Sequence, residues 1–232
     1  MGPVIRGPIE RYRTVHDLPV RLPIFPLAGA LLLPRTRLPL NIFEPRYLAM
    51  VGDAMAGERI IGMIQPAAAL SEATADADDR PAIEAVGCAG RITSYAETDD
   101  GRLLIVLTGI ARFRVAAENH GSGPYREIEA DFAPFARDLT RGLGEADVDR
   151  RVLLDTLRGY LEARQLVADW DEVEAASTEQ LVNSLSALSP YPPGDKQALL
   201  EAADLKARAE MLIALTEVAM VRADGADGPR LQ

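Results

Sequence analysis

The sequence predicts an α+β protein in which a β-rich first half, ending near residue 135, precedes an all-helical half starting at about residue 145. Three observations carry this. Apolar and polar residues alternate over Arg37–Phe43 and again around Ile128, Ala130 and Phe132, the period of a half-buried strand. Asp99-Asp100-Gly101 separates two apolar runs as a hairpin turn. Past Phe135 the apolar spacing becomes three and four residues, across a break at Arg141-Gly142-Leu143-Gly144.

Taken in order, residues 1–17 form a polar, Arg-bearing leader that is expected to be flexible. LPIFPL (22–27) and ALLLP (30–34) are apolar pieces broken by prolines, which excludes helix and fits edge or bulged strands. Leu38, Leu40 and Ile42 then mark one strand face. A helix starts at Pro45, with Tyr47, Leu48, Val51, Ala54 and Met55 as its apolar stripe and Gly57 as its stop. Ile60–Ile64 returns to strand. The acidic, aperiodic stretch from Pro66 to Pro81 reads as a connection, mobile over Leu70–Arg80. Strands over Gly90–Glu97 and Arg102–Thr108 flank the Asp-Gly turn, with Leu103–Leu107 apolar on both faces, and a last strand carries Ile128 and Ala130.

In the helical half, Leu153 or Leu154, Leu157, Tyr160 and Leu161 make one stripe, and Leu181, Val182, Leu185 and Leu188 another. The second is opened by Ser177 with Gln180 in a capping-box spacing. Asp195 is placed to cap a short helix over Lys196–Ala203, and Asp204 a final one bearing Leu205, Ala209, Leu212, Thr216 and Ala219. The expected organisation is a leader at 1–17, a β subdomain at 18–135, a helical subdomain at 145–222 and a frayed tail at 223–232.

Composition narrows the function. One cysteine among 232 residues cannot form an internal disulfide, and the N-terminus has no signal-like apolar stretch, so a cytoplasmic location is expected. Apolar runs are far below the roughly 20 residues of a membrane-spanning helix. The net charge of −10 disfavours nucleic acid, although the first 40 residues carry six arginines against Glu10 and Asp17.

Catalytic chemistry finds few carriers. The only lysines, Lys196 and Lys206, sit in no phosphate-binding loop, and polar helical positions are expected to leave both ammonium groups solvated, unfit as bases. His16, His120 and Cys88 have no metal-ligand spacing. His120 reads as a turn residue and Cys88 as a buried, inert thiol. The chain is therefore expected to be no enzyme and to need no cofactor or metal.

One segment stands out. Asn41–Tyr47 (NIFEPRY) joins a strand end to a helix start through two aromatics, a carboxylate and a guanidinium. It reads either as a structural corner or as a contact surface made of Phe43, Arg46 and Tyr47. In the corner, Arg46 and Glu44 fix the turn while Phe43 and Tyr47 fill core; Phe43 is expected to be core, and Tyr47 is the one of the two with a chance of touching a partner.

The ordered series LPIFPL, LLLP (31–34), LPLNIFEPRYLAMV (38–51), GRITSYAETDDGRLLIVLTGIARFRV (90–115), YREIEA (125–130) and PGDKQALLEAADLKARAEML (193–212) resembles the Lon N-terminal substrate-binding family over roughly residues 18–220. The resemblance implies a six-stranded, partly open β-barrel of the PUA-like kind followed by a helical bundle. It also implies a non-catalytic module that binds unfolded or tagged polypeptides, an adaptor or recognition factor with a protease as a further partner, and it implies no catalytic residues. PUA-like barrels also occur in RNA-binding proteins, so RNA binding is the alternative that the arginine-rich start keeps open.

Overall fold

A computed structural model of the chain describes residue 7 and residues 9–67, 81–119 and 123–226. The expectations for Leu70–Arg80, for His120 and for the tail beyond residue 226 lie outside these residues.

Six strands form one mixed sheet: β1 (Arg21–Pro26), β2 (Arg37–Ile42), β3 (Ile60–Ile64), β4 (Val86–Glu97), β5 (Leu103–Asn119) and β6 (Arg126–Asp131). Their order is β2-β5-β4-β3-β1-β6, and β6 pairs a second time with the far end of β5, so the sheet turns back on itself. Only β1 and β3 run parallel. The 17-residue β5 can serve three neighbours because register shifts at Ala89/Gly90, Ile92/Ser94 and Val115/Ala117 bend the ladder. Helix α1 (Pro45–Ala56) follows β2; α2 (Arg150–Ala163), α3 (Trp170–Ala175), α4 (Thr178–Leu188), α5 (Pro193–Glu201) and α6 (Leu205–Ala226) make the second half. No strand follows Asp131 among the described residues.

The β-to-α division, the hairpin and the alternation of Ile128 and Ala130 are as the sequence predicts, and four details differ. Strands β4 and β5 extend well beyond Gly90–Glu97 and Arg102–Thr108, because the glycines of AVGCAG make room for packing and do not break the strand. A methyl group on Gly87 would lie 2.5 Å from the Phe113 ring. Residues 30–34 form no strand. Leu31, Leu32 and Leu33 are buried in irregular backbone held by Thr36, whose hydroxyl accepts from Leu33 N (3.0 Å) and donates to Leu33 O (2.8 Å). Leu103–Leu107 is not apolar on two buried faces, since Leu104 is 47% exposed. Helix α5 starts at Pro193, two residues before the predicted cap Asp195, because proline suits a first helical position.

Other caps act as predicted. Ser177 Oγ accepts from Gln180 N at 3.2 Å, and Asp204 Oδ1 from Ala207 N at 2.9 Å. The leader is seated over its described residues: Tyr12 is buried against the sheet, and its hydroxyl accepts a 3.0 Å bond from Arg91.

The two halves share one core. Leu32, Met50, Ile61 and Leu107 from the first belong to the same apolar cluster as Val182, Leu199 and Leu212 from the second. Buried polar groups cross the same junction. Arg112 Nη1 donates to the Leu200 and Ala202 carbonyls (2.9 and 2.6 Å), Asn183 Nδ2 to Pro34 O (3.2 Å) and Gln65 Nε2 to Pro193 O (3.0 Å). An unpaired polar group would be costly there, so these bonds fix how the helices sit on the sheet.

Candidate functional site

The corner at Asn41–Tyr47 has the opposite polarity to that expected. Phe43 is 62% exposed and Tyr47 only 6%. The strand period explains the first: Ile42 points inward, so its neighbour must point out. Tyr47 lies three and four residues before Met50 and Val51 on the buried stripe of α1, and its ring meets Phe25 at a centroid distance of 4.2 Å. Arg46 lies over the outer side of the Tyr47 ring (4.6 Å) and pairs with Glu44 at 2.8 Å. Phe43 is left beside Leu104, whose partner across the ladder is Asn41, on the outer side of an edge strand.

A second apolar surface escaped the sequence reading. Between α2, α4 and α6 runs a groove of about 260 Å³, with Leu153, Leu157 and Leu212 at its floor and Tyr160, Leu185 and Tyr191 on its walls. Leu188, 80% exposed, and the exposed Leu166 stand at its rim. Two of its hydroxyls are tied to each other and to backbone: Tyr191 OH donates to Thr216 Oγ1 (2.7 Å), which donates to Leu212 O (2.7 Å). Burial also pushes the Tyr191 hydroxyl above its ordinary pKa. The surface offered is therefore mostly hydrocarbon. Stripes read as core line this groove because a helical period looks the same whether its face meets another helix or an open cleft.

The chemical groups singled out from the sequence are dispersed or buried. Cys88 is fully buried and its thiol is pushed up by loss of solvent. Lys196 is not the solvated ammonium expected: it is buried, donates to Gly29 O (2.9 Å) and Ala187 O (3.2 Å), and burial lowers its pKa. Its reach across to the turn before β2 makes it a tie between the halves. Lys206 is exposed near Glu210. Among the described residues no group of three His, Cys, Asp or Glu side chains is placed to hold a metal ion, and no helix is long and apolar enough to cross a membrane.

Comparison with known proteins agrees with this fold. The profile of the ATP-dependent protease La (LON) substrate-binding domain matches residues 21–217. Lon protease 2 of Myxococcus xanthus is 29% identical over 209 residues, covering 86% of this chain and 24% of that protein. Lon protease of Escherichia coli (strain K12) is 22% identical over 201 residues, covering 85% and 25%. The chain thus spans about a quarter of the length of these curated relatives. The N-terminal domain of a Mycobacterium avium complex Lon protease superposes with a TM-score of 0.61 at 19% identity, over 85% of this chain and 98% of that one. A Lon N-terminal domain protein from Xanthomonas campestris gives 0.55 at 24% identity, over 84% and 97%.

Proposed function

This chain belongs to the ATP-dependent protease La (LON) substrate-binding domain family, and from that premise we propose that it is a non-catalytic module that binds apolar segments of other polypeptides. The observation that carries the reading is the groove between α2, α4 and α6. Its hydrocarbon floor and its exposed rim leucine suit the apolar side chains of an unfolded chain, and the Tyr191 and Thr216 hydroxyls are tied up internally. Such side chains are hidden in folded proteins, so a groove of this kind selects for unfolding. Phe43, with Arg46 and Tyr47 behind it, is a second, smaller contact. A role as adaptor or recognition factor for a protease is the finer form of this reading, and the match to a substrate-binding domain supports it.

The test uses a permanently unfolded reporter, a reduced and carboxymethylated protein, titrated against the wild type and Leu188→Asp. Leu188 is exposed, so the substitution should leave stability within about 0.5 kcal/mol. Reporter affinity is expected to fall about ten-fold, the effect of about 1.4 kcal/mol. Unchanged affinity in the folded variant removes the groove, and no binding by the wild type removes the function.

A further inference from the structure

We propose that a second cleft, between the leader and the start of α4, takes a carboxylate-bearing segment of the bound polypeptide. The proposal rests on the polypeptide-binding reading and adds a chemical class to it. The cleft measures about 490 Å³, ample for one or two side chains. Its apolar lining includes Ile9 and Tyr12 from the leader, Ile110 from β5 and Leu139 from the 3-10 turns at Ala133–Leu139.

Three guanidinium groups line it, and their situations differ. Arg35 is engaged through two of its three guanidinium nitrogens: its Nε donates to Glu179 at 3.0 Å, its Nη2 to Glu179 and to Asp138 O (2.8 Å). Glu179 in turn accepts from Gly142 N at 2.9 Å, so this ion pair is a closed unit that builds the wall. Arg13 and Arg141 stand on either side, both exposed, one from the leader and one from the loop before α2. Among the described residues neither has a carboxylate within ion-pairing distance. Glu10, the other acid of the cleft, accepts from Gly7 N at 3.1 Å within the leader.

Two guanidinium groups with no carboxylate at ion-pairing distance among the described residues, beside an apolar floor, fit a ligand with the inverse pattern, a carboxylate next to an aliphatic side chain. The chain carries −10 overall, so an acidic ligand is repelled at long range and must be recognised by contact. This gives the module a discrimination that an apolar groove lacks. Apolar segments alone would enter the groove, whereas segments also bearing a nearby acid or a free C-terminus would hold both sites.

Fluorescence anisotropy decides the matter with two labelled hexapeptides, Ala-Leu-Leu-Ala-Leu-Asp with a free C-terminus and Ala-Leu-Leu-Ala-Leu-Asn amidated. The wild type is expected to bind the acid about ten-fold tighter, and the preference should collapse in about 0.5 M salt, where charges are screened within a few ångströms. Arg13→Gln with Arg141→Gln should bring the two peptides within about two-fold of each other. Both arginines are exposed, so the variant's thermal unfolding should match the wild type. Equal affinities in the wild type, or a preference that survives in the double variant, overturn the proposal. The unfolded reporter is titrated in parallel. Reporter binding without an acid preference defeats the cleft alone; failure of reporter binding defeats the function on which it rests.

Discussion

Arg112 and Asp138 face each other fork to fork, with Nε–Oδ2 and Nη2–Oδ1 distances of 2.8 Å, and both side chains are nearly inaccessible. The remaining guanidinium nitrogen reaches into the helical half, to the Leu200 and Ala202 carbonyls. Asp138 therefore holds the arginine that ties α5 to the sheet. Asp138→Ala should cost about 3–5 kcal/mol in urea unfolding, because it leaves a buried cation without its partner. Arg112→Met combined with Asp138→Leu should recover part of that loss, since it removes the buried unpaired charge, but not all of it, since the Leu200 and Ala202 carbonyls lose their donor. Additive losses would contradict this account.

Gly109 and Gly52 make a contrasting pair. A methyl group on Gly109 would sit 2.0 Å from the Leu33 carbonyl oxygen, where backbone must move to admit it. Gly109→Ala should destabilise by about 3 kcal/mol, at the high end for overpacking. Nothing lies within 4 Å of the corresponding position at Gly52, inside α1. Gly52→Ala should stabilise by about 0.5–1 kcal/mol through helix propensity. Thermal unfolding of the two variants should shift in opposite directions.

Gly109 N donates to Thr36 O, so by strand alternation Leu38, Leu40 and Ile42 turn their backbone groups toward β5 while Arg37, Pro39 and Asn41 face the open edge. Pro39 has no N–H to offer an incoming strand, which protects the edge. Pro39→Val should leave the fold intact and raise self-association in sedimentation velocity. A strictly unchanged profile would show that the edge is guarded by other means.

What the sequence disclosed was local. Ser177, Asp204 and the Asp99–Gly101 turn were legible because each acts on backbone a few residues away. Arg112, Arg208 and Lys196 were not, since a charge reads as surface until long-range contacts provide carbonyls and carboxylates to bury it against. The candidate surfaces were legible only in part. NIFEPRY stands out in the sequence, although its spacing leaves the places of Phe43 and Tyr47 undecided, whereas the groove and the leader cleft arise from how separate elements meet, which no spacing encodes.

Glu145 supplies a pH test. Its Oε1 accepts from Glu179 N at 2.9 Å at the start of α4, and that backbone bond holds the carboxyl below its ordinary range. The unfolded chain then binds the proton more readily, so acid favours unfolding: the contribution is present above the ordinary value of 4.5 and fades as pH falls through the lower folded value. Glu145→Gln should flatten the loss of stability below about pH 4.5. An unaltered slope would assign the acid sensitivity elsewhere.

Phe43 and Tyr47 allow folding and binding to be separated, with roles exchanged from those the sequence predicts. Tyr47→Ala removes a buried ring that meets Phe25 and supports Arg46, and should cost about 3–5 kcal/mol. Phe43→Ala removes a ring already in solvent, and its stability should stay within about 0.5 kcal/mol of wild type. Because the Phe43 variant stays folded, any change in reporter affinity belongs to contact. Truncation is expected to weaken binding about five-fold, or about 1 kcal/mol, as for a contact at the margin of an interface centred elsewhere. Binding that is unchanged for Phe43→Ala, yet lost for Leu188→Asp, would confine the polypeptide to the helical half and leave the NIFEPRY segment as a structural corner built on Tyr47.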